Sequence, residues 1–141
     1  MKTTTLFAAL LSVLFFSCEK DTDSNGNCAI TTAAIAGSYK ITAVTYKAST
    51  GATETDVFGD IPACQRDDIY TFKTDNTYNY TDAGTVCTPP GTTSGAWSVA
   101  GNEMQIDRQI VHIASFDCNK LTVQEGNTAT GEMQTTVYTR Q

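Results

Sequence analysis

Tyr70-Thr71-Phe72-Lys73-Thr74-Asp75-Asn76-Thr77-Tyr78-Asn79-Tyr80 decides the fold. Aromatic and β-branched residues alternate on both sides of Thr74-Asp75-Asn76, which is a turn signal. Asp68 to Lys73 and Thr77 to Thr81 are therefore expected to form a hairpin. A two-residue turn at Asp75-Asn76 and a three-residue turn with left-handed Asn76 both fit, one residue apart in register. The three-residue turn sets Phe72 against Tyr78 and Tyr70 against Tyr80, which gathers four aromatics on one face. Because strand side chains alternate, that register is the one that buries them together.

The same period continues along the chain. Ala96 to Ala100 and Glu103 to Asp107 flank Gly101-Asn102, a compact turn that opposes Trp97 to Ile106 and Val99 to Met104. Ser98, Gln105 and Asp107 then point outward, as a half-buried hairpin requires. Tyr39 to Ala48 alternates with Tyr39, Ile41, Ala43 and Thr45 on one face, and Thr53 to Phe58 is a weak strand leading to Gly59 and Pro62. Thr85 to Ser94 is a loop of Thr, Gly and Pro. Gln109 to Phe116, Leu121 to Glu125 and Gly131 to Thr139 complete eight or nine strands. One short helix is expected within Ala29 to Ala36. The fold class is all-β: a small antiparallel up-and-down barrel.

Five cysteines occur, and with Cys18 set aside four remain: Cys28, Cys64, Cys87 and Cys118. An even number in an exported chain points to disulfides. Extending the hairpin places Cys64 opposite Cys87, or one residue off, depending on the turn. Cys28 and Cys118 then pair by elimination. Zinc is disfavoured, since there is no CxxC and only one histidine.

The fifth cysteine belongs to the N-terminus. Lys2 precedes an apolar run from Leu6 to Phe16, the layout of a secretory signal and too short for a membrane span. Leu14-Phe15-Phe16-Ser17-Cys18 resembles the lipobox of bacterial lipoproteins, with Phe15 where Leu is commonest. The resemblance implies that Cys18 is lipidated and becomes the mature N-terminus. Residues 1–17 are then the signal peptide, 18–28 a flexible tether and 29–141 the barrel domain. Glu19-Lys20-Asp21-Thr22-Asp23 resembles the acidic signal that sends some lipoproteins to the outer face of the outer membrane. Loss of Lys2 with the signal leaves eight basic and fifteen acidic residues, a formal charge of −7. That balance argues against nucleic acid and against peripheral binding to anionic lipid.

Ile35-Ala36-Gly37-Ser38-Tyr39-Lys40-Ile41 resembles the Gly-x-Trp entry of lipocalin-like domains, with Tyr39 in place of Trp. Cys64-Gln65-Arg66-Asp67-Asp68 and Tyr70 to Tyr78 resemble the central block of small bacterial lipocalin-like lipoproteins. Ser94-Gly95-Ala96-Trp97-Ser98-Val99 and Val137-Tyr138-Thr139-Arg140 fit the same pattern. The resemblance spans Ile35 to Arg140. It implies a small antiparallel barrel.

Catalysis is not expected. His112 is the single histidine; a general base needs a partner, and the surroundings suggest a packed or surface residue. Asp67 and Asp68 are adjacent on a strand-like segment, so they point apart and cannot form a dyad. A turn-capping role, or a pair with Arg66, is favoured. Glu54, Asp56 and Asp60 could converge on calcium, but no EF-hand spacing supports it and an acidic surface loop is favoured. No phosphate loop, nucleophile elbow or cofactor motif is present.

The aromatic set Tyr39, Tyr70, Phe72, Tyr78, Tyr80, Trp97 and Tyr138 either fills the barrel or lines its mouth, with filling favoured. The expected function is that of a lipid-anchored, surface-facing, non-catalytic module that binds a small hydrophobic ligand in the barrel. The alternative is an accessory lipoprotein with a packed barrel that docks a protein or glycan through rim segments 59–67 and 85–94.

Overall fold

The computed structural model describes residue 26 and residues 28–141. The expected signal segment, Cys18 and most of the 18–28 tether lie outside the described residues.

The chain forms a short helix α1 (Thr32–Ile35), then β1 (Gly37–Lys47), β2 (Thr55–Asp56), a 3-10 turn over Phe58–Asp60, β3 (Ile69–Phe72), β4 (Thr77–Thr81), β5 (Thr93–Ala100), β6 (Glu103–Ile106), β7 (Gln109–Phe116), β8 (Lys120–Asn127) and β9 (Glu132–Arg140). Neighbouring strands pair antiparallel in the order β1-β3-β4-β5-β6-β7-β8-β9. Pairing of β1 with β9 closes the ring, and β2 adds onto the far half of β1. This is the expected up-and-down barrel, and closure leaves its eight main strands without a free edge.

The central hairpin adopts the three-residue turn. Asn76 is left-handed at φ 66°, and Phe72 pairs with Tyr78 and Tyr70 with Tyr80. Asn tolerates that conformation better than most residues because its side chain is short and polar. The Asp75 carboxylate accepts from the Thr77 hydroxyl and backbone N–H at 2.7 and 3.0 Å. Those bonds hold its pKa below the ordinary carboxylate value. The β5–β6 hairpin pairs Trp97 with Ile106 and Val99 with Met104 across Gly101, whose φ is 59°. Gly95 on β5 has a different task. A Cβ there would strike the Asp107 carboxylate and the Tyr78 ring, so its absence lets Asp107 accept from Ala96 N–H at 3.1 Å and Tyr78 hydroxyl at 2.7 Å.

Two expectations are corrected. The inward face of β1 holds Tyr39 and Ile41, but a bulge between Ile41 and Ala43 reverses the phase. Val44 therefore turns inward, 5 % exposed, instead of Ala43 and Thr45. The weak strand over Thr53 to Phe58 contracts to Thr55–Asp56. There the Asp56 carboxylate accepts from Phe58 N–H at 2.9 Å and turns the chain out of the sheet.

The two ends of the barrel differ. At the closed end, α1 lies across the opening with Thr31 as its N-cap, accepting from Ala34 N–H at 3.2 Å. Tyr39 donates to the Ile35 carbonyl at 2.7 Å. The Arg140 guanidinium donates to the Ala34 carbonyl at 2.7 Å and to the Tyr39 hydroxyl at 2.5 Å. Arg140 also lies over the Tyr39 ring, 5.1 Å from its centroid. Around this clamp Ile35, Phe72, Trp97, Met104, Phe116 and Leu121 are buried almost completely. Each such side chain contributes roughly 1.5–3 kcal/mol of burial. Cys28 enters at the same end, donating its N–H to the Phe116 carbonyl at 2.8 Å and bonded to Cys118. Cys64 is bonded to Cys87 at the other end. The hairpin ladder stops at Ile69 and Thr81, so this second bridge joins two loops instead of two paired strands.

Candidate functional site

Side-chain size changes along the barrel. The closed half carries the large aromatics, whereas the inward positions of the open half are Ile41 and Val44 on β1, Ile106 and Val111 on β6 and β7, Val123 on β8 and Thr136 on β9. These smaller side chains leave a cavity of about 490 Å³ that is open to solvent at its mouth. A volume of that order matches pockets for small organic ligands. Tyr70 and Tyr138 bound it toward the packed half, meeting edge to face with ring centroids 5.4 Å apart. Over the mouth lies the segment after β2, contributing Val57, Asp60, Ile61, Pro62 and Gln65. Gln109, Gln134 and Glu125 complete the rim.

Of the seven aromatics considered from sequence, Tyr70 and Tyr138 line the cavity. Tyr39, Phe72, Tyr78, Tyr80 and Trp97 do not. Trp97 is 2 % exposed, packs 5.0 Å from the Phe72 ring and donates its indole N–H to the Lys73 carbonyl at 2.9 Å. The remaining three are held by their hydroxyls: Tyr39 at the Ile35 carbonyl, Tyr78 at Asp107 and Tyr80 at Asp68. The barrel is thus filled in one half and hollow in the other.

These environments keep the phenols neutral. The hydrogen bond to Asp107 is the main reason the Tyr78 pKa rises to about 12. Burial, then the bond to Asp68, raises that of Tyr80. Burial also raises those of Tyr70 and Tyr138, helped by the Asp68 charge for the first and by Tyr70 and Glu125 for the second. Neither the Tyr70 nor the Tyr138 hydroxyl has a hydrogen-bond partner among the described residues, so both remain available to a ligand.

The two adjacent aspartates support the mouth loops. Buried Asp68 accepts from the Tyr80 hydroxyl and from Ala83 N–H at 3.0 Å. Asp67 accepts from Thr85 N–H at 2.8 Å and occupies the space a side chain on Gly84 would need. Asp82 binds Cys87 and Gly91 N–H groups at 3.1 and 2.8 Å. Asp67, Asp68 and the Cys64–Cys87 disulfide therefore hold the 82–91 loop against the 59–68 segment, and Asp82 braces that loop from within. Arg66 stacks over Phe58 at 5.9 Å and forms no ion pair among the described residues.

The other sequence candidates stay apart. His112 is exposed on the outer face of β7 beside exposed Ile110 and Ala114. Glu54 accepts from the Thr45 hydroxyl, Asp56 caps its own turn and Asp60 reaches the cavity rim. Among the described residues, no three His, Cys, Asp or Glu side chains are placed to hold a metal ion. Sequence reasoning did not find Gln65, Gln109 and Gln134. Isolated glutamines carry no local signal, and only barrel closure brings these three to one rim.

The pattern of the lipocalin-like domain matches residues 35–139, from the end of α1 to the last strand. No curated protein matches the chain, and no solved structure does. The match covers the whole ring of strands and the cavity within it, and the chain belongs to the lipocalin-like domain family, generally a non-catalytic fold for binding small ligands.

Proposed function

We propose that this protein is a lipid-anchored binding protein that holds a small, largely apolar molecule in the open half of its barrel. The observation that carries this reading is the cavity of about 490 Å³, with valine and isoleucine walls and two unpartnered tyrosine hydroxyls. Apolar walls supply affinity by excluding water, and a few polar groups orient the ligand. The rim-docking alternative assumed a barrel packed throughout, and the cavity weakens it.

Val111, 7 % exposed and on the cavity wall, is the position to test. Val111→Trp should retain the barrel and fill the hollow half. A ligand denied two buried methylenes loses about 1.6 kcal/mol, so binding of the neutral fluorescent probe N-phenyl-1-naphthylamine should weaken at least roughly tenfold. Unchanged probe affinity in a folded Val111→Trp protein would place binding elsewhere and overturn the proposal.

The anchor rests on Leu14-Phe15-Phe16-Ser17-Cys18 and the short apolar run before it. Cys28 enters at the closed end, so the chain from Cys18 joins the barrel opposite the cavity mouth and does not cross it. This placement leaves the mouth free to capture a ligand. Cys18→Ser should shift the protein from the membrane fraction to the soluble fraction, because acyl chains supply the membrane affinity at about 0.8 kcal/mol per buried methylene. Membrane retention of that variant would discard the anchor.

A further inference from the structure

The cavity rim is also uneven in charge. Its wall is apolar, but its rim carries two carboxylates, Asp60 and Glu125, and no lysine, arginine or histidine lines it. Both acids are exposed at the mouth, and neither side chain is engaged in a hydrogen bond or ion pair among the described residues. The rim amides of Gln65, Gln109 and Gln134 donate and accept alike, as do the Tyr70 and Tyr138 hydroxyls. Those groups cannot choose between a cationic and an anionic head group. The two carboxylates can, since they attract one and repel the other.

We propose that the cavity selects amphiphiles with a positively charged head, such as an alkylammonium, over those with a carboxylate head. The proposal rests on the reading of the cavity as a ligand site. The tail occupies the Val44, Val111 and Val123 wall, and the head lies at the rim between Asp60 and Glu125. A carboxylate placed there meets two like charges and no compensating cation. In a small apolar-walled cleft those charges are less screened than on open surface, so the discrimination should grow as salt is lowered.

The test uses a matched pair, decylamine and decanoate, each displacing N-phenyl-1-naphthylamine at neutral pH and low salt. At neutral pH the amine is protonated and the acid ionised. Each screened ion pair is worth up to about fivefold, so decylamine should bind roughly tenfold or more tightly than decanoate. Asp60→Asn with Glu125→Gln should collapse that ratio to about threefold or less by the same reckoning. Glu103→Gln, an exposed change outside the cavity, should leave it unaltered. Decanoate binding as tightly as decylamine overturns the charge preference while leaving the binding site standing. A ratio that persists in the double variant overturns it too, because the net charge of the whole protein would then be the cause. Failure of the probe and of both amphiphiles to bind the unaltered protein overturns the ligand-site reading and the preference together.

Discussion

Replacement of Trp97 by alanine is expected to destabilise the barrel by about 3–5 kcal/mol, the range for deleting a large buried aromatic. Trp97 is 2 % exposed and contacts Phe72 at 5.0 Å between ring centroids. Its backbone N–H donates to the Asn76 carbonyl, and its indole N–H donates to the Lys73 carbonyl, both at 2.9 Å. The indole therefore locks β5 onto the turn of the central hairpin. Its removal leaves a void and takes one of two donors from the Lys73 carbonyl, which keeps the Asn76 N–H at 3.2 Å. Domains of this size have about 5–15 kcal/mol of stability in total, so the loss is a large fraction. Urea unfolding measures it as a lower midpoint at unchanged slope. A loss under about 1 kcal/mol would mean that the ring is not enclosed. Trp97 emission should also stay blue and ignore a non-absorbing ligand such as decylamine bound in the cavity, because the residue does not line it. A costly mutation with a silent tryptophan is thus compatible with a binding barrel here, since filler and binding site occupy different halves.

Loss of the Cys28–Cys118 disulfide should cost about as much. The bond closes a loop of 90 residues, and Cys64–Cys87 closes one of 23. Cross-links stabilise chiefly by limiting the unfolded chain, so the longer loop gives about 4.6 kcal/mol against roughly 3.4 for the shorter. Cys28→Ser/Cys118→Ser is expected to be the more damaging double variant in urea unfolding, by about 1 kcal/mol. It also frees the segment that lies across the closed end, where Cys28 is hydrogen-bonded to Phe116. The Cys64→Ser/Cys87→Ser protein should lose less stability, but its 59–67 segment, part of the cavity mouth, should become protease-sensitive. The reverse order of stabilities, or intermolecular bonds in non-reducing peptide maps, would contradict this assignment.

The local hairpins were legible in the sequence because their determinants are neighbours in the chain. Thr74-Asp75-Asn76 and Gly101-Asn102 specify turns, and the alternation around each leaves one register that buries Tyr70, Phe72, Tyr78, Trp97 and Met104 together. The cysteine count and the hairpin arithmetic led to the two bonded pairs, although the ladder stops short of Cys64 and Cys87. The bulge in β1 was not legible. It is a tertiary adjustment made where β1 follows β9 around the closed ring, and no residue type marks it, yet it alone brings Val44 inward. The site was less legible still. Whether aromatics fill a barrel or line it depends on how large and small side chains from eight strands sum at each level. Tyr39, Phe72, Trp97 and Phe116 meet at one level and valines at the other, so one half closes and the other stays open. Glutamines from the 59–67 segment, β7 and β9 reach one rim for the same reason. By itself the sequence determined strand period, turn type and the core aromatics, which depend on contacts a few residues apart. Only the tertiary structure decided where the space lies, because a cavity is a difference of volumes that exists after distant strands have closed.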